Sequence, residues 1–313
     1  MGRLVKLLQD EIRRAGIPGA ALVGWKDGRV LTAAAGITGV EQPSPVTVDT
    51  PFRIGSTTKP LTTAAVLAAG PALDDPLPWG MTLRQLLSHT GGMPADPITP
   101  GNLYGPTDPN ALARWARGLP HGTRADNARE AGPRPWRYSN PGIALAAHVT
   151  ERATGVPMAD LVERHVLRPL GMTHTSWRLG DVLTWTPAQC HVGSPASVVR
   201  PAFEHAVYAA AGFAYSSAAD LARFLRHVPA PMKRRHADTE GEELDGYGLG
   251  LYVGSRRGIA RHGHPGGIEG SGCQLQATDD GRAGVALVYN LQPLDGWSFA
   301  TEVLDVLLEG DVR

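Results

Sequence analysis

The residues most able to do chemistry in this chain fall in three short clusters, far apart in sequence. The first is Ser56-Thr57-Thr58-Lys59. A serine hydroxyl is a poor nucleophile until a base takes its proton. Three residues along a helix is nearly one turn, so Lys59 shares a face with Ser56. Leu61, Ala64, Ala65, Val66 and Leu67 follow and predict a helix with an apolar body that runs through Ala69, with Ser56 at its mouth. Burial and neighbouring charge are what a lysine needs to act as a base, because its pKa must fall from about 10.4 toward roughly 7–8. The helix N-terminus also aims backbone N–H groups and a positive dipole end at any oxyanion formed there. Taken alone, S-x-x-K also occurs on ordinary surface helices.

The second cluster is Tyr138-Ser139-Asn140. A tyrosine facing Ser56 and Lys59 can relay a proton between nucleophile and leaving group. An asparagine there can hydrogen-bond a substrate carbonyl and the lysine. The plain alternative is a helix start, with Ser139 or Asn140 as its cap. The third cluster is His264-Pro265-Gly266-Gly267, on a Gly-rich strand. Glycine in a strand lets a backbone or ligand approach closely, and the Gly267 N–H is a candidate second oxyanion donor beside that of Ser56. The alternative is a β-bulge carrying a surface histidine. Trp136 and Tyr208 are candidates to wall a pocket.

The elements that must position these clusters can be read from periodicity. Leu4, Leu7, Leu8 and Ile12 recur at helical spacing. GAALVGW and RVLTAAAG, around Lys26-Asp27-Gly28, predict a β-hairpin. Between about Met81 and Ala206 the pattern is short helices (Leu83 to Ser88, Asn110 to Arg117, Gly142 to Ala153, Met158 to Val166) with long Gly- and Pro-rich loops. Ser217 and Asp220 then open a helix through His227. YGLGLYVG, RHGHPGGIEGSG, CQLQATDDGR and AGVALVYN return to strand character, and Trp297 to Leu308 closes the chain as a helix. The expected architecture is an α/β sheet domain built from both ends (1–80 plus 207–313). An inserted helical domain (81–206) follows the first part, with the active site between the two.

Composition removes other classes. The chain has 313 residues, 42% apolar, enough for a sizeable core. Thirty basic side chains balance thirty acidic ones, so a polyanion-binding body is not expected, and no nucleic-acid partner. Cys190 and Cys273 are the only cysteines, too few for a disulfide framework or a Cys-rich zinc site. The first twenty residues carry charges throughout and lack a signal-peptide core, and the longest apolar run contains Gly70 and Pro71. A protein of the cytoplasm, without a membrane partner, is the expectation. No serine lies in G-x-S-x-G and no H-E-x-x-H occurs. His262-x-His264 could hold a metal, but no nearby Asp or Cys cluster completes such a site. The remaining histidines are scattered and read as surface or core-edge residues.

The order S-x-x-K, Y-S-N, H-P-G resembles the serine β-lactamase and penicillin-binding protein superfamily. Class C-like members, family VIII carboxylesterases, D-aminopeptidase-like hydrolases and related transacylases are the most similar. Phe52 to Pro60 resembles the family's nucleophile segment. Thr82 to Gly92, containing Leu87-Ser88-His89-Thr90-Gly91, is similar to its helix leading into a loop. Ala210 to Leu221 resembles its re-entry helix. The resemblance covers roughly Gly19 to Asn290. It implies a β-lactamase-like fold, an antiparallel sheet flanked by helices with a helical insertion. It also implies an acyl-enzyme mechanism without metal or organic cofactor. Ser56 would be the nucleophile, and Lys59 and Tyr138 would share the acid–base work. The Ser56 and Gly267 N–H groups would hold the oxyanion, with Asn140, His264, Gly266 and Trp136 at the substrate.

Histidine replaces the lysine that β-lactamases and DD-peptidases carry in the third motif. A histidine there is mostly neutral at pH 7 and is expected to titrate between about pH 5 and 8, so the anchor for a substrate carboxylate is weaker. The expected activity is therefore ester or amide hydrolysis of a small-molecule acyl substrate. Acyl transfer to a second acceptor and β-lactamase or DD-peptidase-like hydrolysis are the alternatives within enzymes. A non-catalytic binding protein of the same fold is the alternative outside them.

Overall fold

The amphipathic start of the chain forms helix α1 (Gly2–Ala15), and the hairpin expected after it is strands β1 (Gly19–Lys26) and β2 (Arg29–Gly36). The computed structural model describes residues 2–77, 80–93, 135–199, 209–239, 244–292 and 295–310. Strand β3 (Phe52–Arg53) leads through a 3-10 turn at Gly55–Thr57 into α2 (Thr58–Ala69). Helices α3 (Leu83–Leu87), α4 (Asn140–Thr154) and α5 (Met158–Val162) follow. The expected helix Asn110 to Arg117 and the position of Tyr208 lie outside the described residues. The helix expected over Met158 to Val166 is interrupted: α5 passes into a π-helical turn at Glu163–Leu167 and ends at Gly171, with φ +63°.

The second half supplies most of the sheet. Short strands β4 (Cys190–Val192), β5 (Ser197–Val199) and β6 (Tyr215–Ser216) precede helix α6 (Ala218–Leu225). Strands β7 (Ala237–Asp238), β8 (Gly246–Tyr247), β9 (Tyr252–Arg256), β10 (Ile259–Ile268), β11 (Ser271–Thr278) and β12 (Ala283–Tyr289) lead to the closing helix α7 (Gly296–Glu309). One eight-stranded antiparallel sheet results, in the order β2-β1-β12-β11-β10-β9-β8-β7. Both ends of the chain therefore meet at the β1–β12 pairing, where Leu22 faces Leu287.

Both faces of the central strands are covered, which explains why AGVALVY is apolar without alternation. On one face Leu22, Val285 and Leu287 pack with Leu4 and Leu8 of α1 and Val303, Leu304 and Leu307 of α7. On the other, Ala21, Val23, Cys273, Leu275 and Val288 pack beneath Leu61 and Ala65 of α2, Ile143 of α4 and Leu221 of α6. Opposed residues share a face, and His264 opposes Leu275 while Gly266 opposes Cys273. The third motif thus lies on the same face as the nucleophile helix. The hairpin β4–β5, within the segment expected to be helical, joins the sheet side: the His191 N–H donates to Gly270 O at 2.9 Å and the Gln292 N–H to His191 O at 3.2 Å. Strands of three residues are too short to announce themselves by periodicity.

The approach of β10 to the nucleophile turn depends on glycine. Gly55 has φ +50°, and a Cβ there would lie 2.6 Å from Gly267 O. Gly55→Ala is therefore expected to cost about 1–3 kcal/mol of stability, read as a lower urea midpoint at unchanged m-value. A midpoint equal to that of the unsubstituted protein would contradict this packing.

Candidate active site

The nucleophile turn is tied on both sides before any side chain acts. Arg53 pairs with Tyr215 across β3–β6, and the Ile54 N–H donates to Ala214 O at 3.1 Å. Within the turn, Thr57 Oγ1 donates to Ile54 O at 2.5 Å and Thr58 Oγ1 to Gly55 O at 2.7 Å. Both threonine hydroxyls are buried and spent on backbone. Ser56 is the hydroxyl of this segment that remains half-exposed.

Lys59 is fully buried. Its Nζ donates to Ala211 O at 2.7 Å and lies 2.9 Å from Ser56 Oγ. The i,i+3 spacing thus produces direct contact between nucleophile and amine. The same nitrogen sits 4.9 Å from the centroid of the Tyr138 ring, within cation–π range. Ser56, Lys59 and Tyr138 therefore form one cluster, although Tyr138 is on a different element.

Tyr138 arrives at the entrance of α4. Ser139 is the cap, its hydroxyl accepting the Gly142 N–H at 3.1 Å, so the capping role does not fall on Asn140. Asn140 is the first residue of the helix, with its Oδ1 buried. Trp136 is half-buried, its ring 5.9 Å from Tyr247, 6.2 Å from Tyr252 and 6.3 Å from Tyr138. It packs in an aromatic group on one side of the cluster.

Strand β10 passes directly over the nucleophile turn. A Cβ on Gly266 would fall 2.1 Å from Ile54 O, so this glycine serves backbone approach and is buried. Gly267 is exposed, and its N lies 2.8 Å from where a Cβ on Gly55 would stand. Its amide therefore lies beside the turn that carries Ser56.

His264 differs from the expectation of a titrating group at the substrate. Its side chain is 1% exposed. Nδ1 lies 2.6 Å from Pro265 O and Nε2 lies 3.1 Å from Tyr247 Oη, so both ring nitrogens are engaged inside the protein. Burial, and after it the charge of Lys59, pushes its pKa down to about 3. It is neutral across the pH 5–8 window in which it was expected to titrate, because it has no water to solvate a charge. His262 is also buried and pairs through Nδ1 with Asp279 Oδ1 at 2.7 Å.

His89 and Tyr247 belong to this site and carried no role in the sequence reading. His89 is buried, not a surface or core-edge residue, with its ring 4.6 Å from Tyr138 and 4.7 Å from Tyr247. Burial, Lys59 and His264 hold its pKa well below the ordinary histidine value. The available signals were its place in Leu87-Ser88-His89-Thr90-Gly91 and that of Tyr247 in the YGLG stretch.

A family model described as Beta-lactamase matches residues 4–305. Among curated relatives, unguisins hydrolase UngD of Aspergillus violaceofuscus is 26% identical over 250 residues, covering 69% of this chain and 42% of that protein. Esterase EstB of Burkholderia gladioli is 30% identical over 202 residues, covering 54% of this chain and 50% of that protein. The chain thus spans half or less of the length of these relatives. Among solved structures, SurE superposes with a TM-score of 0.78 at 28% identity, covering 98% of this chain and 75% of that one. A class C beta lactamase from Rhodobacter sphaeroides gives a TM-score of 0.79 at 19% identity, over 97% of this chain and 99% of that one, and so shares the fold. Among the described residues no helix is long and apolar enough to cross a membrane.

The buried imidazole has a consequence for stability. The folded pKa of His264, about 3, lies below the ordinary value of 6.5. The unfolded chain therefore binds more protons between those values. The stability that neutral His264 contributes is fully present above about pH 6.5 and is lost as pH falls toward 3. Urea midpoints of the unsubstituted protein and of His264→Gln should differ most near pH 7, with the gap narrowing toward pH 4. A gap that stays constant over that range would contradict the buried, neutral assignment.

Proposed function

The chain belongs to the Beta-lactamase family, and from that premise we propose that it is a serine hydrolase that cleaves ester or amide bonds through an acyl-enzyme. The observation that carries this reading is the contact of 2.9 Å between Lys59 Nζ and Ser56 Oγ in a buried site. Ser56 Oγ attacks the substrate carbonyl carbon as its proton passes to the Lys59–Tyr138 pair. The oxyanion is held by the Ser56 and Gly267 N–H groups. Collapse of the tetrahedral adduct breaks the bond to the alcohol or amine, which leaves with a proton returned by the same pair. Water then repeats the steps in reverse order and releases the acid. Asn140, following Tyr138 at the helix mouth, is the candidate to orient the substrate carbonyl. None of these steps draws on a metal or an organic cofactor.

The state of His264 supports neutral esters and amides over β-lactams. A buried imidazole held neutral, with both nitrogens engaged inside the protein, gives a substrate carboxylate no cation at this position. The names of two relatives, a hydrolase and an esterase, agree with hydrolysis.

The reading is tested first at the nucleophile. Ser56→Ala should abolish turnover of p-nitrophenyl esters by a protein that still unfolds cooperatively, and retained turnover would remove Ser56 from the mechanism. The proton relay is tested by a double-mutant cycle. On a poor leaving group such as p-methoxyphenyl acetate, Lys59→Ala and Tyr138→Phe should each lower kcat by about 10²–10⁴. Because the two act as a unit, the double variant should be little worse than either single one. Multiplying losses would place one of them outside the relay.

A further inference from the structure

A continuous hydrogen-bonded chain runs from the segment carrying Tyr138 to the strand carrying Gly267. The Ser139 N–H donates to His89 Nδ1 at 3.3 Å. His89 Nε2 lies 3.2 Å from Tyr247 Oη, Tyr247 Oη lies 3.1 Å from His264 Nε2, and His264 Nδ1 lies 2.6 Å from Pro265 O. All three side chains are buried. Both ends of the chain are backbone groups of fixed role, a donor at Ser139 and an acceptor at Pro265. The ends set every proton between them. His89 must accept at Nδ1 and donate from Nε2 to Tyr247. Tyr247 must donate to His264 Nε2, and His264 must donate from Nδ1. A cationic His89 would turn an N–H against the Ser139 N–H, so the arrangement needs neutral rings.

His89 also brackets Tyr138. Its carbonyl accepts the Arg137 N–H at 2.9 Å, its Nδ1 accepts the Ser139 N–H, and its ring lies against the Tyr138 ring at 4.6 Å. The residues on either side of Tyr138 are thus fastened to one histidine. That histidine has φ +59°, a conformation that only a few residue types tolerate. The other end of the chain reaches β10 next to Gly266, which packs on the nucleophile turn.

We propose that His89 and Tyr247 are positioning residues, which hold the Tyr138 hydroxyl in register with Ser56 by fixing the Tyr138 segment to β10. Neither needs to touch the substrate. The inference rests on the reading of Tyr138 as the group that returns a proton to the leaving group. Displacing such a donor by about 1 Å is enough to cost on the order of 10²-fold. That loss must depend on how badly the leaving group needs the proton. A good leaving group such as p-nitrophenolate departs without it.

The test is the dependence of kcat/KM on the leaving group, over a series of substituted phenyl acetates from p-nitrophenyl to p-methoxyphenyl. Acylation is read by this constant, and a merely structural weakening would scale every substrate alike. Tyr247→Phe removes one oxygen and keeps the ring. His89→Asn suits a positive φ, keeps an acceptor toward Ser139 and deletes the donor to Tyr247. Both variants, with Tyr138→Phe as reference, should show losses of a few-fold for p-nitrophenyl acetate that grow to about 10²-fold for the poorest leaving group. A uniform loss, or none, in Tyr247→Phe and His89→Asn would overturn the proposal while leaving a selective Tyr138→Phe intact. A uniform loss in Tyr138→Phe itself would overturn the reading of Tyr138, and the proposal with it.

Discussion

A lysine amine with no exposure to water, 2.7 Å from a backbone carbonyl and 2.9 Å from a serine hydroxyl, is the constraint around which the rest of this structure is arranged. Taking an ammonium-bearing chain out of water is costly unless its donors find partners. Ala211 O, Ser56 Oγ and the Tyr138 ring are those partners, and each comes from a different part of the fold. The short β3–β6 pairing brings the chain before Ala218 back to the nucleophile turn, next to the segment that supplies Ala211. Helix α4 brings Tyr138. Burial, and after it the charge of Lys59, depresses the pKa of both His89 and His264. The neutral histidines are thus part of the same electrostatic arrangement as the lysine.

The second requirement is close backbone approach. Strand β10 must lie over the turn that carries Ser56, and Gly267 of that strand comes against Gly55 of the turn. Gly55 and Gly266 meet that requirement from opposite sides, one through a positive φ and both through the absence of a Cβ. The sheet supplies rigidity behind them. Its central strands are buried on both faces, by α1 and α7 on one side and by α2, α4 and α6 on the other.

Much of this was legible in the sequence, for identifiable reasons. That Ser56 and Lys59 share a face follows from their i,i+3 spacing, with Ser56 in the 3-10 turn that opens into α2. The hairpin Gly19 to Gly36, the closing helix and the Ser217 cap follow from local patterns, and all are present. Tyr138 stands out in Tyr138-Ser139-Asn140 as a candidate proton relay, but its weight comes from the resemblance, because nothing local separates such a tyrosine from a helix entrance. The burial of His264 was not legible. A histidine in a Gly-rich segment looks exposed, and its partner Tyr247, with His89 beyond it, is brought together with it only in the folded chain. Tyr247 is 17 residues away, and His89 meets Tyr247 across a separation of 158. The β4–β5 hairpin was missed because strands of three residues carry no period.

If the buried amine activates its neighbour, Ser56 is the reactive one among all the serines of the chain. Incubation with a fluorophosphonate, followed by digestion and mass spectrometry of the peptides, measures this directly. One adduct per chain is expected, carried by the peptide that contains Ser56. An adduct on a different serine, or a chain that takes up no probe, would contradict it.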